Sequence, residues 1–168
     1  MTKPTLVRDL MTVGVPTCKL DSPVTDIARF LLEKDVEGMC VLDSEGHGIG
    51  VVSADELAKI YSNEYDDPAA LRAEDVMREG MPTLEPDMTL PLAVHLMRDQ
   101  KTRIAYLTHN SAGIIYPAAY ITFRHLIRHL AAKDESELKD LGIKAERKSP
   151  IELFMARREE ARKMAGIK

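Results

Sequence analysis

The chain has 168 residues and a formal charge of −4, with 45% hydrophobic and 30% charged residues, which suits a soluble globular protein with one substantial core or two small units sharing one. The negative balance, the absence of Trp and an aromatic content of 5% argue against a surface that grips nucleic acid by charge and stacking. No apolar run approaches membrane-spanning length, and the N-terminus shows no charged-then-apolar leader. The expectation is therefore a cytoplasmic protein with no membrane partner. Cys18 and Cys40 form no Cys-x-x-Cys pattern and read as small buried apolar residues in a reducing compartment.

Taken in order, the chain is an internal repeat. Arg8-Asp9-Leu10-Met11 recurs as Glu74-Asp75-Val76-Met77, 66 positions later. The same offset carries Thr17 onto Thr83 and Asp21 onto Asp87. It also carries Val24, Ile27, Ala28 and Leu31 onto Leu90, Ala93, Val94 and Met97, a spacing that describes one buried helix face. In the first copy, 15–20 reads as extended. Asp21 or Ser22 is expected to cap a helix that runs to about Lys34, with Pro23 in its first turn, where a missing N–H costs nothing. Residues 39–42 are a continuous apolar run and read as a buried strand; 43–48 is a turn cluster, and 49–52 is the next strand. Ser53 then opens a second helix, so the unit is β-α-β-β-α.

The second copy repeats that order. Thr83 and Leu84 are extended, Asp87 or Thr89 caps the helix with Pro91 in its first turn, and 104–107 is the strand. Pro117 interrupts the segment after it, so the closing strand is expected only over 118–121. These readings divide the chain into 5–62 and 74–131 as repeats, 63–73 as a connector, and 132–168 as a helical extension. In the extension, 135–141 and 150–165 are expected helices, the latter opened by Ser149-Pro150-Ile151-Glu152. From Lys144 to Lys168 there are eight Lys/Arg against four Glu, a solvated basic face or a site for an anionic partner. Met11, Met39, Met77, Met88 and Met97 read as core filler.

The stretches that close the two copies are Gly50-Val51-Val52-Ser53-Ala54-Asp55-Glu56-Leu57 and Ala119-Tyr120-Ile121-Thr122-Phe123-Arg124-His125-Leu126. Each is a strand that meets a hydroxyl residue and turns helical. Such a hydroxyl can cap the helix, and the junction also aims a helix N-terminus at a polar or anionic ligand.

This twofold β-α-β-β-α pattern, with Asp-Leu-Met at its start and a strand-Ser/Thr-x-x-acid turn at its close, resembles the CBS domain pair, the regulatory module named after cystathionine β-synthase. The resemblance covers about residues 5–130. It implies an α/β (α+β) fold of two repeats about a pseudo-twofold axis, with a helical tail beyond. It also implies clefts that hold an adenosine-type ligand such as AMP, ATP or S-adenosylmethionine, and a homodimer as partner state. Carried over, the hydroxyl falls on Ser53 and Thr122, and the first-strand contacts fall near Thr17, Cys18, Thr83 and Leu84. The second-strand contacts fall near Gly38, Met39, Ile104 and Ala105. The family's usual Asp three residues after the hydroxyl is Glu56 in one copy and His125 in the other, and His125 cannot be a bidentate anionic acceptor. The family's common Pro in the second strand is Cys40 and Tyr106 here. The usual Gly before the closing strand is Gly50 and Ala119. The two sites are therefore expected to be unequal.

The first junction is acidic, with Asp55 and Glu56; the second is basic, with Arg124 and His125, and Arg103 is expected to converge on that second cleft. A phosphate-bearing ligand is thus expected near Thr122, and an uncharged nucleoside or a sulfonium near Ser53. His125 and His129 stand four apart on one helix, but without a His-Glu-x-x-His pattern or paired cysteines no metal site is expected. Ser53 has no assignable base, and no phosphate-gripping glycine loop is present, so the chain does not read as an enzyme. A dimerising scaffold with ligand-free clefts is the alternative.

Overall fold

The computed structural model describes residues 5–63, 67–133 and 137. The helices expected over 135–141 and 150–165 lie outside the described residues. The elements run α1 Val7–Leu10, β1 Thr12–Val13, β2 Thr17–Lys19, α2 Val24–Lys34, β3 Gly38–Leu42, β4 Gly48–Ser53, α3 Ala54–Lys59, α4 Ala73–Val76, β5 Arg78–Glu79, α5 Leu90–Asp99, β6 Ile104–Ser111, β7 Ile114–Thr122 and α6 Phe123–Ala131. They confirm the mixed α/β fold with two repeated units.

The sheets do not follow the sequence repeat. One has the order β2-β3-β4-β5 and the other β1-β7-β6. The opening segment of each repeat therefore crosses to the other repeat's sheet. β1 pairs antiparallel with β7 (Thr12 opposite Tyr120), and β5 pairs antiparallel with β4 (Val51 opposite Arg78). The short helices cross with them. Val7 and Leu10 of α1 pack among Ala93, Met97, Leu107 and Ile121, while Ala73 of α4 packs among Ile27, Leu31, Met39, Val41 and Val52. Both four-residue helices start on a carboxylate that accepts a backbone N–H: Leu6 N–H donates to Asp9 Oδ2 at 2.9 Å and Arg72 N–H to Asp75 Oδ2 at 2.7 Å. That is why the Asp recurs in the opening motif.

The face predicted for α2 is buried at Val24, Ile27 and Leu31, and that for α5 at Ala93 and Met97. The start of α2 departs from expectation. Pro23 is itself the N-cap, and Ser22 Oγ instead accepts from Lys19 N–H at 3.0 Å. The first helical donor, Val24 N–H, goes to Leu71 O at 3.0 Å, so the connector does the capping. In α5 Thr89 stands at the N-cap with Pro91 in the first turn, as expected, but its side chain makes no cap hydrogen bond. A non-glycine residue in the left-handed region follows both helices: Asp35 (φ 51) is the C-cap of α2, and Lys101 (φ 52) comes one residue after Gln100, the C-cap of α5.

The closing strand of the second repeat is longer than expected. β7 runs straight through Pro117, which lies opposite Thr108 just past a register shift at Leu107/Thr108. β1 pairs with β7 only at Ala119 and Tyr120, and Gly14 N–H reaches Ala118 O. Pro117 therefore lacks a donor only where no neighbour asks for one. Ala112 (φ 52) and Gly113 (φ 87) make the two-residue turn at the hairpin tip, the conformation that matches strand twist.

Each repeat has its own core, and a third cluster joins them: Cys40, Val51, Ile104, Tyr106 and Tyr120, with Val15, Leu42 and Met81 against it. Tyr106 is completely buried there, and its hydroxyl has no hydrogen-bond partner among the described residues. Burial drives the pKa of that phenol well above its ordinary value, with Cys40 and Cys18 adding to the effect. Gly50 is required in the neighbouring sheet: an added Cβ would stand 2.8 Å from Arg78 O and 2.7 Å from Met77 Sδ, so β5 could not approach.

Candidate functional site

Two equivalent junctions face the axis between the repeats. At the first, α3 begins at Ser53 and meets the loop before β6. At the second, α6 begins at Thr122 and meets the loop before β3. The same backbone bond closes both: Ala54 N–H donates to Glu37 O at 3.3 Å and Phe123 N–H to Arg103 O at 3.0 Å. That bond ties each loop to its own repeat's closing helix, and a side-chain pair carries the loop across to the other repeat: Arg103 to Asp55 at one junction and Asp35 to Arg124 at the other. The repeat relates Asp35 to Lys101, Glu37 to Arg103, Asp55 to Arg124 and Glu56 to His125. At every one of these pairs the acid of one copy is replaced by a basic residue in the other.

The first junction is open. A cleft of about 560 Å³ is lined by Val51, Ser53, Asp55 and Glu56 from one side and by Arg78, Lys101, Arg103 and Ile104 from the other, with Lys59 at its edge. A smaller hollow of about 250 Å³ shares Asp55, Lys101 and Arg103 and extends it toward Met97 and Phe123. Ser53 Oγ accepts from Asp55 N–H at 3.2 Å, as expected of a cap, and Ser53 N–H donates to Glu56 Oε2 at 3.1 Å. The Ser53 hydroxyl also bonds that Oε2, and Lys59 Nζ lies 3.3 Å from Oε1. Glu56 therefore closes the helix and faces the cleft with one residue. Arg103 Nε lies 3.5 Å from Asp55 Oδ2. Arg78 donates to Gln100 O at 2.6 Å and Lys101 O at 3.3 Å, tying β5 to the end of α5. Thr102 Oγ1 braces the next turn by donating to Ile104 O at 2.7 Å. Four cations thus face two carboxylates.

The second junction is filled by side chains. Thr122, His125 and Tyr120 are all buried. His125 Nδ1 accepts from Thr122 N–H at 3.0 Å, the bond Glu56 accepts in the other copy. The sequence denies His125 a carboxylate's two acceptors; one ring nitrogen is enough for the cap. With Nδ1 accepting, Nε2 carries the proton and donates to Thr12 Oγ1 at 2.8 Å. The Tyr120 ring stands edge-on to His125, with centroids 5.6 Å apart. Burial, then the charges of Arg128 and Arg124, pushes His125 down to about 4. Arg124 Nη1 reaches Asp35 Oδ1 at 2.6 Å and, by hydrogen bond and then charge, holds that carboxyl below its usual range. Burial pushes Glu37 up, against the pull of Arg124, the Thr122 hydroxyl and Arg103. Tyr120 occupies the strand position that Val51 has in the first copy, and its ring lies against His125 where Val51 lines the cleft.

Of the residues named from sequence, Ser53, Glu56, Arg103 and Ile104 line the open cleft. Thr122, Arg124 and His125 gather at the filled junction. Gly38 lies opposite Ser53 in the β3–β4 ladder and underlies the first junction. Met39, Leu84 and Ala105 belong to the repeat cores, Cys18 packs partly against one of them, and Thr17 and Thr83 lie exposed on strand edges. Arg78 and Lys101 were missed. The repeat offset, which sets Lys101 against Asp35 and Arg78 against Thr12, is the signal that points to them. Among the described residues no three His, Cys, Asp or Glu side chains are grouped to hold a metal ion.

This architecture is that of a known module. The CBS domain family matches residues 7–63 and again 73–132. The chain belongs to that family and carries two copies of its domain. Among solved structures it is similar to a conserved CBS domain protein of Thermoplasma acidophilum (18% identity, 88% of this chain and 79% of that one, TM-score 0.65). It is also similar to a CBS domain pair solved in complex with 5′-methylthioadenosine and S-adenosyl-L-methionine (15% identity, 75% and 99%, TM-score 0.63). A third is CBSX2, solved in complex with AMP (22% identity, 77% and 99%, TM-score 0.60). No curated protein matches the sequence. Among the described residues no helix is long and apolar enough to cross a membrane.

Proposed function

We propose that this protein is a non-catalytic regulatory module of the cytoplasm that senses an adenosine-type nucleotide in the cleft at Ser53. The observation that carries the reading is the open cleft itself. Its volume falls in the range of small-molecule sites, its walls come from both repeats, and it presents cations and a hydroxyl-carboxylate pair across an apolar floor of Val51 and Ile104. A ligand held by both walls favours one relative placement of the repeats, and that placement is the signal. Solved relatives bound to AMP and to S-adenosyl-L-methionine support the ligand class. The test is a thermal melt with AMP, ATP and S-adenosylmethionine at millimolar concentration, since a ligand selective for the folded state raises its melting temperature. A rise with at least one of them, abolished by Ser53→Trp, is expected; no rise with any refutes the sensor.

The packed second junction favours one additional reading, that of an assembly scaffold. Leu32 on α2 and Ile127 and Leu130 on α6 are 84%, 65% and 86% exposed, apolar area that a homodimer would cover. A monomer mass by sedimentation at tens of micromolar refutes it.

A further inference from the structure

Arg103 is the cation of the open cleft whose position matters most, because it is engaged by an acid of the cleft itself. Its Nε is 3.5 Å from Asp55 Oδ2, and both side chains remain well exposed, at 67% and 46%. Glu37 also feels it from the neighbouring loop. Lys59 is engaged by Glu56. Arg78 and Lys101 differ: among the described residues neither makes an ion pair, and Arg78 donates only to carbonyls. The cleft therefore holds two cations without an acid and a third under restraint. An exposed ion pair is weak and is easily exchanged for a stronger one, and a phosphate offers Arg a paired, shorter set of bonds.

We propose that Asp55 is the specificity-determining residue of the cleft: it holds Arg103 while the cleft is empty, an anionic ligand must take Arg103 from it, and ligands without a phosphate leave the pair intact. This rests on the nucleotide-sensor reading and reverses the sequence expectation, which sent phosphate to the junction of Arg124. There Arg124 is closed on Asp35 at 2.6 Å, whereas Arg103, at 3.5 Å from Asp55, lines the open cleft with Arg78 and Lys101. A sulfonium gains nothing from these three cations. The cleft discriminates by ligand charge, and Asp55 sets how steeply.

The experiment is calorimetric titration of the full chain with AMP, adenosine and inorganic tripolyphosphate, using wild type, Asp55→Asn, Arg103→Gln and the double variant. Both side chains are exposed, and circular dichroism checks that each variant folds. Asp55→Asn is expected to tighten AMP about fivefold to tenfold and to change adenosine by less than twofold. Arg103→Gln should weaken AMP about tenfold, and adding Asp55→Asn to it should restore little, because Asp55 acts through Arg103. Equal gains in both backgrounds would show that Asp55 acts only as a distant charge, and no gain from Asp55→Asn in wild type would also overturn the proposal. If no adenosine compound binds, the sensor reading fails separately, and tripolyphosphate decides this one. Tighter tripolyphosphate binding in Asp55→Asn supports the gate, and unchanged or absent binding rejects it.

Discussion

The two junctions are built on one backbone plan and end in opposite states. Both start a helix on a hydroxyl residue, close it with a side chain three positions on, and receive a loop from the other repeat. At the Ser53 junction the strand contributes Val51 and the closing residue is Glu56, leaving a cleft. At the Thr122 junction the strand contributes Tyr120 and the closing residue is His125, and these two rings occupy the interior with Thr12. Charge is inverted at three related positions, Asp35 and Lys101, Glu37 and Arg103, and Asp55 and Arg124, and each junction has one ion pair across the repeats. What the comparison teaches is that one backbone plan can carry an ion pair across the repeats with different residues, and that a ring pair stands at one junction where the other has Val51 and Glu56.

The largest test transfers a ring. Val51→Tyr places the second junction's aromatic in the first, and AMP affinity by calorimetry is expected to fall about a hundredfold, a loss of about 2.7 kcal/mol. Next comes the reverse weakness. His125→Ala removes a ring that accepts from Thr122 and donates to Thr12, leaving a buried donor unmet and a void. Urea unfolding should show a loss of about 2–4 kcal/mol. Glu56→Ala removes the matching cap beside open solvent and should cost about 1 kcal/mol.

A smaller effect separates the junctions by pH. His125 has a folded pKa of about 4 against an ordinary value of 6.5. The unfolded chain therefore binds the proton first, and the stabilisation, whole above about 6.5, is lost as the pH falls toward 4. The loss from this one group is on the order of 3 kcal/mol at most. Denaturant midpoints measured across that window should fall in wild type and much less in His125→Gln. The smallest effect concerns the turns. Lys101 adopts a left-handed conformation that costs a non-glycine residue energy, so Lys101→Gly should raise stability by about 0.5 kcal/mol while weakening AMP about twofold to threefold.

Much of this was legible in the chain. The recurrence of Asp9 and Asp75, and of the α2 and α5 faces, follows from local patterns, and local patterns survive folding. The inequality of the sites was visible in Glu56 and His125. The sheet exchange of β1 and β5 was not, because a two-residue strand carries no face pattern and periodicity never says which sheet a strand joins. Arg103 was misplaced for a related reason. It follows α5 in the same repeat as Arg124 and its carbonyl accepts from Phe123 N–H there, yet its side chain reaches Asp55 on the other repeat's helix. The extent of β7 was hidden because the tolerance for Pro117 depends on where β1 stops. Tyr120 read simply as a strand residue, since its direction depends on a partner 108 residues earlier, Thr12.

The crossed opening segments have a consequence for how the chain is made. Val7 and Leu10 emerge first, but their neighbours Ala119 and Ile121 are among the last of the described residues to be made. Through most of synthesis, α1 has no core to enter, and its edge strand has no ladder to join. A fragment of 1–72 would also lack Ala73 and β5, which complete its own core and sheet. Such a fragment is expected to stay loosely packed and to acquire fixed structure only when mixed with the remaining 73–168, a complementation that amide hydrogen exchange would follow. Neither half is a finished object, and the first part of the chain waits for the last to give it a surface.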